Sequence, residues 1–222
     1  ALRLALHKHE CSIAFLQEVS SESKRAAKRL TGWPHSNQLE YLADHVWPHY
    51  AYGKNALSSD GHHGNAILSE VPMAAWNTLD LSQFRLSQRG LLHATLANGL
   101  ELICTHLGLF AGERRAQVEL LIHYVEQKIP QRAPLILAGD FNDWKLASHR
   151  RLQQALNLKE AAQHCHGRVA RTFPAAWPVL SMDRLYSRGL EINRAQRLSD
   201  PLWSRLSDHC AVTASYQRLA HV

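Results

Sequence analysis

Leu135-Ile136-Leu137-Ala138-Gly139-Asp140-Phe141-Asn142-Asp143 is an apolar run that breaks off on polar groups. Leu135 to Gly139 predicts a buried strand, where packing alone would favour Val, Ile or Leu throughout. Gly139 allows a close turn, and Asp140 and Asn142, two residues apart, then leave the strand end on one side. A carboxylate there can activate water while an amide holds an oxygen. Taken alone, G-D-x-N also reads as an Asx-type turn that merely closes the strand.

Working outward, Ala116, Leu120 and Tyr124, with Leu121 and Val125 beside them, recur at helical spacing from Glu113 to Ile129 until Pro130 and Pro134 end the pattern. Ser148 is expected to cap a short helix running to Leu156, followed by strands Asp183 to Ser187, Leu190 to Leu198 and Cys210 to Tyr216. Upstream, Ile13 to Leu16 predicts a short strand ending on Gln17 and Glu18. Helices are expected over Glu22 to Leu30 and Asn37 to Trp47, and strands over Gly64 to Leu68, Gly90 to Ala97 and Leu100 to Thr105. Asn98-Gly99 fits a hairpin turn between the last two. No repeat, low-complexity tract or linker interrupts the chain, so residues 1–222 read as a single α/β sandwich domain.

Polar residues interrupt these strands elsewhere. Asp208 and His209 stand side by side before the last strand, a pairing suited to a metal ligand beside a phosphate-binding acid or base. His106 closes the strand Leu100 to Thr105. Asp183 opens an apolar strand and could orient a histidine by accepting its ring N–H. Glu18 ends the first strand, an acid suited to a hard cation. Each has a plainer reading by itself: a turn pair for Asp-His, a hydrogen-bonded core histidine for His106, a salt bridge for either acid. His62-His63 and His164-Cys165-His166 lack a third ligand at useful spacing and read as solvent-facing loop residues.

Composition narrows the classes. No apolar run approaches the ~18–20 residues that cross a bilayer, so no membrane span is expected. Cys11, Cys104, Cys165 and Cys210 form no C-x-x-C pair, and Cys104 and Cys210 sit in apolar runs, which points to reduced thiols and a cytoplasmic setting. A net charge of +6 and a pI near 9.3 favour a phosphate-bearing partner without saying which. The chain starts at Ala1 with no signal pattern, so a missing amino-terminal segment is expected.

Taken in order, Leu-Gln-Glu, Gly-Asn-Ala-Ile-Leu-Ser, Thr-His-Leu, Gly-Asp-Phe-Asn, Met-Asp-Arg-Leu-Tyr and Ser-Asp-His resemble the motifs of the endonuclease/exonuclease/phosphatase family, from Leu16 to the strand after His209. The plainer readings could each hold separately, but they do not explain this order. The resemblance implies a four-layer sandwich of two packed mixed β-sheets flanked by helices. It implies Mg²⁺, with Mn²⁺ as a substitute, held by Glu18 with Asp208 as a second or water-mediated ligand. Asp140 would deprotonate or position water, Asn142 would hold that water or a phosphate oxygen, and His209, fixed by Asp183, would donate to the phosphoryl group. His106 would assist the leaving oxygen.

The resemblance implies that Gly61 to Asn65, with Asn65 at its end, and Arg171 to Pro178 flank the site as substrate contacts, with Arg89 at a strand start as a phosphate contact; Trp144 is a stacking candidate, although an aromatic there more often closes the core. One departure stands out. The family's first strand ends in a metal-binding Asn, yet only seventeen residues precede Glu18 and none is asparagine. Truncation of that strand, and a loosely held metal, are therefore expected. The leading functional expectation is a nuclease-type phosphodiesterase. A phosphatase or sphingomyelinase-like enzyme acting on a small phosphoester or lipid head group is the alternative, and a catalytically silent binding module is disfavoured. No obligate protein partner is inferred.

Overall fold

The computed structural model describes residues 5–6, 8–9, 11–20, 47–58, 61–84 and 87–219. At its centre is a six-stranded mixed sheet of β4 (Met73–Asp80), β5 (Gly90–Leu96), β6 (Glu101–His106), β7 (Leu135–Asp140), β8 (Lys159–Glu160) and β9 (Asp183–Arg188), in the order β4-β5-β6-β7-β9-β8. Only β6 and β7 are parallel neighbours. A parallel step needs a crossover, and helix α1 (Ala111–Lys128) supplies it.

Strand alternation decides what each face covers. Leu91, Ile103, Leu135, Leu137 and Tyr186 pack toward Val118, Leu121, Ile122 and Val125 of α1 and toward Leu152 and Leu156 of α2 (Ala147–Leu156). Leu92, Ala94, Leu102, Cys104 and Ile136 point the other way. They meet Ala51 of β2 (His49–Ser58), Ile67 of β3 (Gly61–Ser69) and Phe15 of β1 (Ile13–Ser20). Burial on both faces explains why β7 reads as an apolar run up to Gly139 and why apolar residues dominate β5 and β6. Each fully buried leucine among them contributes about 1.5–3 kcal/mol.

The structure is an α/β sandwich of packed β-sheets, as expected, and its second β layer is described for part of the chain. It comprises two antiparallel pieces, β1-β3-β2 and the ribbon of β10 (Leu190–Leu198) and β11 (Ala211–Arg218). The chain passes from β9 to β10 at Gly189, whose φ of +66° a side chain would resist. Leu190 and Tyr216 of the ribbon share the apolar cluster of Ile67 and Leu92, and α3 (Ala161–His166) packs Ala161 and Ala162 on Ile192 and Ala195.

Several local expectations change. The buried stripe of α1 runs through Val118, Leu121, Ile122 and Val125, while Leu120 is exposed and Glu113, Arg114 and Gln117 are buried. Those three polar side chains serve the loops at the sheet's edge. Ser148 lies inside α2; the caps are the carboxylate oxygens of Asp143, which accept from the backbone N–H groups of Ala147 and His149. His62 and His63 belong to strand β3 rather than a loop. The helices expected over 22–30 and 37–47 lie outside the described residues apart from Trp47. The hairpin at Asn98-Gly99 forms as expected, with Gly99 at φ +78°.

Candidate active site

Three neighbouring strands end or begin on one line. His106 at the end of β6 is in register with Asp140 at the end of β7, which is in register with Asp183 at the start of β9. Paired strands lie about 4.8 Å apart, so the register brings three ionisable side chains from distant sequence into one row. Gly139 makes this possible. A Cβ there would sit 1.9 Å from the carbonyl oxygen of Thr105.

His209, from the segment before β11, completes the group. Its Nδ1 lies 2.8 Å from Asp183 Oδ2, and one ligand atom from each of Asp140, Asp183 and His209 lies within 4.8 Å of the others. Phe173 packs its ring against His209 with centroids 4.9 Å apart. Asn142 has φ +48°, so its backbone N–H turns back to Asp140 Oδ1 at 2.9 Å while Nδ2 donates to the Leu107 carbonyl at 2.9 Å. Its amide nitrogen therefore steadies Asp140.

These groups set one another's protonation. Burial, then the charge of Asp183, pushes Asp140 up to about 6, against the Asn142 N–H and the charges of His209 and Arg89. Burial alone would lower His209. Its hydrogen bond to Asp183, with the charges of Asp183, Asp140 and Asp208, outweighs that and raises it to about 9. Burial, with the charges of Arg89 and His209, depresses His106 to about 3. His106 is consequently neutral at ordinary pH. Arg89 Nη1 is 3.1 Å from its Nδ1 and can only donate, so the ring proton sits on Nε2, 3.4 Å from Asp140 Oδ2.

Glu18 approaches this row from the facing layer. Leu16 pairs with Ala66 and Val19 with Gly64, so Gln17 and Glu18 together oppose Asn65 in a bulge, with Glu18 at φ +55°. A bulge re-aims a side chain. Gln17 Nε2 bonds the Cys104 sulfur at 3.2 Å, and Glu18 Oε1 comes within 3.9 Å of His106 Nδ1. A cleft of about 230 Å³ opens here, lined by Glu18, His63, Asn65, Gln88, Arg89 and His106. Asn65 is fully buried; its Nδ2 donates to the Gly90 carbonyl at 2.9 Å, and its Oδ1 has no hydrogen-bond partner among the described residues.

His106, Asp140, Asn142, Asp183 and His209 thus converge, with Glu18, Asn65 and Arg89 on the adjoining cleft. Two others stand apart. Asp208 is exposed beside Ser207, felt by His209 as a charge. Trp144 does not line the cleft; its ring packs 5.5 Å from the Arg114 guanidinium. The sequence reading missed Asp143, Arg114 and Arg184 as partners behind the row, since an acid in a turn and arginines in a helix and a strand carry no signal of mutual contact. Gln88 on the cleft was missed as well, whereas His63 lies in the expected Gly61 to Asn65 segment.

Among the described residues, no helix is long and apolar enough to cross a membrane. A family model described as Endonuclease/Exonuclease/phosphatase family matches residues 1–209. The protein YbhP of Escherichia coli (strain K12) is 35% identical over 218 residues, covering 96% of this chain and 86% of YbhP. TDP2 of D. rerio, in complex with a single-strand DNA product, superposes with a TM-score of 0.70 at 17% identity, covering 97% of this chain and 90% of that one. The mannosyl-6-phosphatase of Bacteroides thetaiotaomicron superposes with a TM-score of 0.71 at 17% identity, covering 97% and 89%. With that family match spanning nearly the whole chain and its fold shared by these neighbours, the protein belongs to the endonuclease/exonuclease/phosphatase family.

Proposed function

We propose that this protein hydrolyses phosphoester bonds with a divalent cation, as a nuclease-type phosphodiesterase. The observation that carries the reading is the close group of Asp140, Asp183 and His209, in which burial and the charge of Asp183 raise Asp140 while the hydrogen bond and charge of Asp183 raise His209. Between about pH 6 and 9 Asp140 is ionised and His209 protonated. His209, its Nδ1 proton held by Asp183, presents Nε2–H to a phosphoryl oxygen, while Asp140 orients water and accepts its proton. Neutral His106 donates from Nε2, and Arg89 adds positive charge where phosphate charge develops.

The residues fit a hard cation. Glu18 offers a carboxylate 71% exposed on the cleft, Asn65 brings a buried oxygen that has no hydrogen-bond partner among the described residues, and Asp208 is exposed next to His209, outside the cleft lining. Glu18, with Asp208 directly or through water, would hold Mg²⁺ or its substitute Mn²⁺, which supplies charge neutralisation at the phosphoryl oxygens and lowers the pKa of bound water. Asn65, Arg89 and stacking on Trp144 remain the proposed substrate contacts.

The basic balance of the chain supports nucleic acid as substrate. A small phosphoester is the second reading, favoured by a cleft of only about 230 Å³ and by the fold shared with a mannosyl-6-phosphatase. Four free thiols support a reducing, cytoplasmic setting. The deciding experiment assays the purified protein with Mg²⁺ on plasmid DNA, an abasic oligonucleotide, sphingomyelin, inositol phosphates and mannose 6-phosphate. His209→Ala and Asp140→Asn serve as controls. Turnover lost in both variants supports the reading; turnover equal in wild type and variants ends it.

A further inference from the structure

Behind the row of His106, Asp140 and Asp183 lies a second set of charged side chains that the proposed chemistry does not use. Asp143 is fully buried, Arg184 is 1% exposed and Arg114 5% exposed. Arg184 is in register with Gly139, one residue from the Asp140–Asp183 pair, and points to the opposite face of the sheet. Its Nη1 lies 3.4 Å from Asp143 Oδ2, and its Nη2 donates both to the Asp143 carbonyl and to the Ser181 carbonyl, the latter at 2.9 Å. Arg114 approaches the other oxygen, with Nε 3.9 Å from Asp143 Oδ1. Its Nη1 donates to the Gly108 and Leu109 carbonyls at 3.0 and 2.9 Å.

One carboxylate therefore ties together the chain just after β6, just after β7 and just before β9, where the three active-site side chains emerge. Such an arrangement is a poor way to gain stability. Desolvating two guanidinium groups and a carboxylate offsets most of their attraction, and among the described residues Arg184 Nε has no hydrogen-bond partner. What the geometry does well is fix position.

We infer that Asp143, with Arg184 and Arg114, is a positioning group that sets the spacing of the β6, β7 and β9 ends and so holds His106, Asp140 and Asp183 in one row. The inference rests on reading that row as the catalytic centre. A displacement of about 1 Å at reacting groups lowers a rate by as much as ~10²-fold.

The test compares full-length wild type, Arg184→Met and the double variant Asp143→Asn/Arg184→Met. Methionine keeps the arginine stem without its charge, and asparagine keeps an oxygen acceptor for the start of α2. The single variant leaves a buried carboxylate poorly paired and is expected to melt lower. The double variant removes the charges of Asp143 and Arg184, leaving Arg114 with the nearby charges of Glu113 and Asp140, and is expected to recover part of the lost melting temperature.

Its kcat is expected to remain about 10- to 100-fold below wild type, with KM within about two-fold. In parallel, the amides of Phe141 and Leu107, which donate to the Met182 and Asp140 carbonyls across these strand ends, are expected to exchange with solvent about ten-fold faster, while strand-interior amides do not change. A stable double variant with wild-type kcat overturns the inference. If the wild-type protein hydrolyses nothing on the panel, the functional reading fails, and the exchange experiment decides alone: unchanged protection of Phe141 and Leu107 overturns the positioning role, and selective loss supports it.

Discussion

Replacing Asp183 by Asn tests the electrostatic design of the site most directly. His209 is held at about 9 against an ordinary 6.5, although burial alone would lower it; the hydrogen bond to Asp183 and its charge are the main forces raising it, at a contact of 2.8 Å. A neutral amide in place of that carboxylate would leave only the weaker charges of Asp140 and Asp208, so the imidazole falls toward 6.5. At pH 8 its protonated fraction drops from ~0.9 to ~0.03, a loss of roughly 30-fold, whereas at pH 6 the same change costs less than about two-fold. Asp140 moves too. Losing the charge of Asp183, which raises it, shifts the acid limb below its present position near 6. Both limbs of the kcat/KM profile therefore move to lower pH, and the deficit of Asp183→Asn shrinks on acidification, on top of a constant loss from the misdirected ring tautomer. Kinetics from about pH 5 to 10, with an NMR titration of the His209 ring, would measure this. An alkaline limb that stays near 9 in the variant would refute the assignment of His209 as the donor raised by Asp183.

Asp140→Asn is expected to abolish turnover and yet stabilise the fold at pH 8 by about 3 kcal/mol, or ~6–12 °C in Tm. The folded pKa lies above the ordinary 3.8, so the penalty for its charge is absent below that pH and complete above about 6; thermal melts should lose the gain below about pH 4. His106→Gln should lower kcat by about 10- to 100-fold without moving either pH limb, because the imidazole is neutral throughout that range; a displaced limb would contradict the tautomer derived from Arg89. Gly139→Ala should cost about 3 kcal/mol or more, seen as loss of soluble folded protein or a large fall in denaturant midpoint, since the added Cβ meets the Thr105 carbonyl at 1.9 Å. Glu18→Gln should weaken Mg²⁺ binding in calorimetric titration by at least about ten-fold while leaving the melting temperature of the metal-free protein within a degree or two, as the side chain is mostly exposed.

Much of this architecture was legible from residue order. The mainly apolar stretch Leu100 to Thr105 announced a strand and the apolar run Leu135 to Gly139 a buried one, and polar residues at their ends announced a candidate site, because hydrophobic burial leaves little reason for Asp140 or His106 to stop such a strand. The edge strand β4 was not legible. Most of its residues are exposed, so neither alternation nor an apolar run marks it. Strand β2 and helix α3 were missed for the same want of a periodic apolar signal.

What chain order could not supply was distance. Parallel pairing of β6 with β7 and antiparallel pairing of β7 with β9 put His106, Asp140 and Asp183 in register across 77 residues of sequence, and the bulge opposite Asn65 turned Glu18 toward them. Protonation likewise belongs to the folded state: burial and the charge of Asp183 bring Asp140 near 6, the hydrogen bond and charge of Asp183 bring His209 near 9 against burial, and burial with the charges of Arg89 and His209 brings His106 near 3. Local sequence settles which side chains are available; only tertiary packing removes the water and sets the separations on which their chemistry depends.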